Sequence, residues 1–333
     1  MTDPNSPALR LNDLSYGYQH SVVLLTACNI NLFETLKGES LTAEDIAQAL
    51  VMEPRGIETL LLALAADGIL LQENGRFRIA PEYAPYLLED SPQTQIHILN
   101  HQYNCLQRWV TLDLRLRTGH PVPCETEDGE RNLRNFILGM ADISRKSSEQ
   151  VAAAVDLSSR RRLADIGGGP ATSSIVLANH YPQLHCTVFD LPAPLEIARE
   201  EIGKAGMSGR IDTRSCDYLH DEFGTAADGE PFDVAYISNI IHSLGPQETR
   251  MIFDKTYRAL APGGMMIVKD FFLEESRTAP AHGAFFSINM LVATENGRSY
   301  TWDETEAMLR QAHFRNFQRQ HVAMASGLIL ATR

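Results

Sequence analysis

Cysteine, positive charge and long apolar runs are all scarce in this 333-residue sequence. The five cysteines, Cys28, Cys105, Cys124, Cys186 and Cys216, are odd in number and form no C-x-x-C pair. They therefore indicate neither a disulfide framework nor a zinc knuckle; they read as reduced packing residues, and no metal is expected. Lysine and arginine number 29 against 42 aspartates and glutamates, a formal charge of −13. Such a surface repels phosphate backbones and anionic bilayers, which argues against nucleic acid or membrane as a partner. The most hydrophobic stretch, Ile57 to Leu71, is broken by Asp67 and Gly68 and falls short of the roughly 20 residues a membrane span needs. The opening MTDPNSPALR has no apolar h-region, so no signal peptide is read and a cytoplasmic location is expected. What remains, 44% apolar and 21% charged residues, is the composition of an ordinary globular protein with two domains or one large one.

Residues 1–100 read as short helices followed by a ribbon. Thr42 with Asp45 three residues on is a variant capping box, Pro54 opens a second helix, and Gly68 stands where that helix would end. Ile69-Leu70-Leu71-Gln72 and Arg76-Phe77-Arg78-Ile79 then flank Asn74-Gly75, a pair that tolerates the positive φ of a tight hairpin. Helices followed by such a wing form a winged helix-turn-helix, a shape that invites a DNA-binding reading. The charge opposes it: residues 1–90 carry thirteen acidic and five basic residues, a net of −8, and the second helix of the pair has only Arg55. A recognition helix needs a basic footprint. The run Val22-Val23-Leu24-Leu25 is too apolar for one helix face, which points to homodimerisation through this domain, with burial against the connector helices as the alternative.

Residues 101–158 read as a helical connector, and from 159 to 333 strands alternate with helices. Strands are expected at Arg162–Ile166, Leu184–Phe189, Ile211–Ser215, Phe232–Ile237 and Met265–Val268, with two late ones near Phe317–Met324 and Leu328–Ala331. The implied fold class is α/β, a Rossmann-like, doubly wound, mainly parallel sheet of seven strands behind a mostly helical winged-helix domain. The first strand runs into Asp165-Ile166-Gly167-Gly168-Gly169-Pro170. Glycines let the backbone turn sharply beside a ligand, and Pro170 could start the next helix; a purely structural turn is the alternative. Thr172 stands where a dinucleotide fingerprint needs its third glycine, so an NAD motif fails. Asp165 suits a cationic or hydroxyl-bearing ligand, Asp190 at the end of the second strand could take ribose hydroxyls or cap a helix, and Asp217 after the third could accept from an adenine amino group.

LADIGGGPAT, VFDLP, CDY, NIIH and YRALAPGGMMIVKD, in this order and spacing, resemble the class I S-adenosylmethionine-dependent O-methyltransferases of small molecules. That group includes caffeate and acetylserotonin O-methyltransferases, and the resemblance covers nearly the whole chain. It implies S-adenosylmethionine as cofactor, with Asp165, Gly167, Gly169, Asp190, Leu191, Asp217, Tyr218 and Ser238 around it and S-adenosylhomocysteine as product. It also implies His242 as general base, with Asp270 orienting it; the bland alternative for a lone histidine after an apolar run is packing or capping. Phe136, Met140, Phe286, Asn289 and Met290 are the implied walls of a pocket for a small aromatic hydroxyl acceptor, and a homodimer is the implied assembly. Three departures stand out: Ala171 replaces the last glycine of the turn, and Ser243 and Ser299 replace the family's two further acids. Ser243 and Ser299 keep open a cofactor-binding relative that decarboxylates or hydroxylates an aromatic substrate, and the winged helix leaves a ligand-sensing regulator as a third reading.

Overall fold

The computed structural model describes residues 6–123, 129–322 and 326–333, so the first five residues, Cys124 and Met324 lie outside the described residues. The chain forms two compact units, Met1–Leu106 with Asp128–Asp142, and Gln107–Glu127 with Ile143–Arg333. The connector expected at 101–158 is thus divided between them. Apolar spacing identifies helices in a sequence but not the core that each helix joins.

In the first unit, helices α1 (Pro7–Tyr16), α2 (Tyr18–Asn29) and α3 (Leu32–Thr35) precede strand β1 (Leu41–Thr42), α4 (Ala43–Leu50) and α5 (Pro54–Ala66). Strands β2 (Leu70–Glu73) and β3 (Arg76–Ile79) follow, then α6 (Ala84–Leu87) and the start of α7 (Ile96–Trp109). The capping box is present: the Asp45 N–H donates to Thr42 Oγ1 at 3.1 Å, and the Thr42 N–H to Asp45 Oδ2 at 3.2 Å. Asn74 and Gly75 both have positive φ, 51° and 74°, the geometry that fits the twist of a two-residue hairpin. β3 sits between β1 and β2 in a three-stranded antiparallel sheet. Leu32, Phe33, Ile46, Leu61, Leu64 and Phe77 form its core with the helices. Of the run at 22–25 only Leu25 is fully buried. The apolar excess lies instead on α1, which buries nothing and leaves Leu11 and Leu14 69% and 68% exposed.

The second unit begins with the end of α7, α8 (Leu112–Thr118) and the later part of α9 (Gly129–Ala154). Then come β4 (Arg162–Ile166), α10 (Thr172–His180), β5 (His185–Asp190), α11 (Pro192–Lys204), β6 (Ile211–Ser215) and β7 (Phe232–Ser238). After a short 3-10 turn at Ile241–Ser243 the chain continues through α12 (Pro246–Ala259), β8 (Leu260–Asp270), α13 (Ala281–Ala293), α14 (Trp302–Gln311), β9 (Arg315–His321) and β10 (Gly327–Thr332). The seven strands lie in the order β6-β5-β4-β7-β8-β10-β9. β4 to β8 are parallel, and β10 runs antiparallel to both its neighbours. Side chains alternate between two apolar cores, with Ala164, Ile166, Ala235 and Ile237 on one face and Leu163, Val188, Val234 and Tyr236 on the other. Helices on both faces explain why these strands read as continuous apolar runs.

Two differences from expectation matter for the site. Pro170 does not start a helix: the turn continues to Ala171, at φ 62°, and α10 begins at Thr172. α13 was not assigned from the sequence, because a segment apolar on nearly every side carries no helical stripe. Among the described residues no helix is long and apolar enough to cross a membrane. Removing the cap in Thr42→Ala should cost about 1 kcal/mol, seen as a lower urea midpoint, whereas Thr42→Ser should keep most of it.

Candidate active site at the C-terminal edge of the sheet

The chain leaves β4 for β5 and β6 on one side, then returns to β7 and β8 on the other. Connections diverge where β4 meets β7, and in parallel sheets ligands bind in that crevice, beyond the C-terminal strand ends. The glycine turn sits there. Gly167 has φ 69°, donates its N–H to the Phe189 carbonyl at 2.8 Å, and would drive a side chain into Ile240. Gly168 is equally constrained, since a Cβ would lie 2.8 Å from both Asp165 Cγ and Val188 Cγ1.

The first acid lies beneath the turn. Asp165 is 1% exposed, packed beneath Gly168, with Ser174 Oγ donating to its Oδ2 at 2.6 Å. Burial pushes its carboxyl up to about 6, opposed by the Ser174 bond. It supports the turn from below; residue type and spacing identify an acid, but not the side of the turn it takes.

Asp190 does reach the edge. It accepts from the Gly169 N–H at 2.8 Å and the Leu191 N–H at 2.7 Å. Burial raises its pKa, and these two donors hold it down. Leu191 follows, half exposed. Asp217 accepts from the Leu219 N–H at 2.9 Å and stays partly exposed, and Tyr218 reaches across toward Gly167. This loop is pinned by Lys255, a buried ammonium that donates to the Tyr218, Leu219 and Asp221 carbonyls at 3.3, 2.9 and 2.9 Å. Nothing in the sequence marks Lys255 for that task. Ser238 ends β7 opposite Lys269, and Asn239 then turns left-handed at φ 57°, its N–H still bonded to the Lys269 carbonyl at 2.9 Å. Asn239 Oδ1 is buried, with no hydrogen-bond partner among the described residues. An asparagine right after a strand, tolerant of positive φ, was the available clue.

That turn delivers His242. Its Nδ1 lies 2.7 Å from Asp270 Oδ1, both residues being buried, and the Phe271 N–H donates to the same oxygen at 2.8 Å. With a carboxylate accepting at Nδ1, Nε2 is the ring nitrogen turned away from Asp270. Phe286 of α13 meets the imidazole edge-on at 4.7 Å, and Phe271 stacks on it at 6.2 Å. Ser299 Oγ donates to the Gly283 carbonyl at 2.9 Å and so anchors α13. Among the described residues Asp270 is the carboxylate paired with His242. Met290 is buried on α13 and Asn289 accepts from Trp109 Nε1 at 2.9 Å. Phe136 and Met140 belong to the first compact unit, where Phe136 packs against His101 with ring centroids 5.1 Å apart.

Comparison with known proteins identifies the family. Residues 118–315 match the O-methyltransferase domain, and residues 12–85 the O-methyltransferase dimerisation domain. The chain is 32% identical to 3-hydroxy-5-methyl-1-naphthoate 3-O-methyltransferase of Streptomyces sahachiroi, over 91% of this chain and 88% of that protein. It is 28% identical to L-tyrosine C(3)-methyltransferase of Streptomyces lavendulae, covering 96% and 91%. The crystal structure of human N-acetylserotonin methyltransferase in complex with SAM superposes with a TM-score of 0.84 at 25% identity, covering 100% of this chain and 99% of that one.

A carboxyl whose pKa is raised in the folded state contributes stability that is present below the unfolded value and lost as pH rises through the folded one. For Asp165 that window runs from about 4 to about 6. Asp165→Asn should therefore gain on the wild type as pH rises through it, by up to about 3 kcal/mol, and the gain should level off above. Urea unfolding across pH checks this.

Proposed function

Because the chain belongs to the S-adenosylmethionine-dependent O-methyltransferase family, we propose that it methylates a hydroxyl of a small aromatic acceptor, with His242 as general base and Asp270 as the group that orients it. The buried 2.7 Å contact between His242 Nδ1 and Asp270 Oδ1 carries this reading. The sheet edge fits the methyl donor. Asp190 offers a carboxylate for ribose hydroxyls, the Asp217 loop lies beside it for adenine, and Asn239 Oδ1, buried and without a partner among the described residues, can accept from an ammonium. Gly167, Gly169, Leu191, Tyr218 and Ser238 complete that surface, and Asp165 acts through the turn it supports.

When bound, S-adenosylmethionine supplies an electrophilic methyl group on a sulfonium. The protein's own task is the proton. A phenol has a pKa near 10, so ionising it at pH 7 costs about 4 kcal/mol. His242 Nε2, kept free by the bond at Nδ1, takes that proton as the methyl moves, and Asp270 favours the imidazolium that results. The Phe271 N–H holds the carboxylate in place, while Phe271 and Phe286 keep water from the imidazole. A dry site favours a step in which phenolate and sulfonium charges cancel. An aromatic acceptor is supported by the Streptomyces sahachiroi relative, whose name gives a hydroxynaphthoate.

His242→Ala should lower kcat by about 10²–10⁴-fold while leaving the dissociation constant for S-adenosylmethionine within about twofold in calorimetry; unchanged turnover would sink the reading. S-adenosylhomocysteine released one-for-one with product separates methyl transfer from decarboxylation or hydroxylation. The dimerisation domain supports a homodimer, and we assign the exposed Leu11 and Leu14 of α1 to its contact. Wild type should sediment at twice the 37.0 kDa chain mass, and Leu11→Glu with Leu14→Glu at the single mass.

A further inference from the structure

α13 is gripped at several points. Ser299 holds its first half through the Gly283 carbonyl, and the Ser299 N–H donates to Ser287 Oγ at 3.1 Å. The buried guanidinium of Arg115, on α8, closes its far end, with Nε donating to the Leu291 carbonyl at 2.7 Å and Nη2 to the Thr294 and Glu295 carbonyls at 3.1 and 3.0 Å. A helix C-terminus leaves its last carbonyls without partners inside the helix, and Arg115 satisfies three in this segment. Between these anchors Trp109 Nε1 meets the Asn289 side chain at 2.9 Å.

That last contact fixes more than a position. An indole N–H can only donate, so the amide atom facing it must be the oxygen, and the Asn289 NH2 is turned the other way. No hydrogen bond to that nitrogen is found among the described residues. Asn289 stands three residues after Phe286, on the same side of the helix and about 4.5 Å further along its axis, and Phe286 packs edge-on against the His242 ring. A donor of locked polarity thus lies one turn beyond the side chain that touches the base.

We infer that Trp109 is a positioning residue that commits Asn289 to donate, and that the acceptor therefore carries a second, hydrogen-bond-accepting oxygen, a carboxylate or carbonyl, close to the hydroxyl that is methylated. This rests on the methyl-transfer reading for the hydroxyl alone; the preference for an accepting oxygen stands on the Trp109–Asn289 geometry. A site built to donate discriminates strongly against a ligand that leaves its donor unpaired.

The test uses the full-length protein and dissociation constants from calorimetry with S-adenosylhomocysteine present, for 3-hydroxy-2-naphthoate, 3-hydroxy-2-naphthamide, 2-naphthol and 3-amino-2-naphthol. Wild type should bind the acid or the amide at least tenfold tighter than 2-naphthol, and which of the two is tighter separates carboxylate from carbonyl. Asn289→Asp keeps an oxygen for Trp109 and replaces the NH2 with a second acceptor. It should reverse the ranking, with the ratio of acid to aminonaphthol affinity falling at least tenfold. Trp109→Phe should weaken the preference through a higher KM for the acid rather than a lower kcat. Wild type that binds all four alike or none, or Asn289→Asp that keeps the wild-type ranking, overturns the inference. If the ranking holds but none of these phenols is methylated, the recognition stands and the methyl-transfer reading fails.

Discussion

The hydrogen bond between His242 and Asp270 joins residues 28 apart in the chain, and it exists because β7 and β8 are parallel neighbours in register. With Ser238 opposite Lys269, the next step along each strand brings Asn239 and Asp270 to the same edge. Asn239 then turns left-handed and a short 3-10 turn swings His242 back over the end of β8. Slipping one strand by one residue would turn Asp270 toward the opposite core, because strand side chains alternate faces. The apolar alternation of β7 and β8, which sets that register, is therefore also what brings Asp270 to His242.

The same logic places the groups proposed for the methyl donor. Gly167 and Gly168 bring the backbone tightly round between the Asp165 side chain below and Ile240 beside it. Asp190 closes the turn by accepting the Gly169 N–H. Lys255 reaches from α12 to hold the Asp217 loop by its carbonyls. Each element is secured by a partner distant in sequence, so the edge is ordered before any ligand arrives, which lowers the cost of binding.

Short motifs were informative where chemistry and local conformation coincide. Asp190, Asp217 and His242 follow strands whose apolar runs are plain to read, so their arrival at one edge follows from the parallel alternation of strand and helix. Thr42 with Asp45 and Asn74 with Gly75 were likewise legible, because capping and tight turns are settled within four residues. Asp165 is different. Its spacing from the glycines is local, but its orientation depends on Ser174 and Val188, which lie on other elements. Pro170 is similar: a proline suits a helix start, yet the turn runs one residue further, through Ala171 at positive φ.

The sequence by itself determined the alternation of strands with helices apart from α13, the acidic character of the first ninety residues and which polar residues end the strands, because these depend on composition and on periods of two and 3.6 residues. Only the tertiary structure decided which of those residues meet. The polarity of Asn289 is set by an indole 180 residues away, α13 is held by an arginine on α8, and Asp270 serves His242 rather than the apolar core because two parallel strands stand in one register. Such pairings are enforced by packing between distant segments, and no local pattern of residues encodes them.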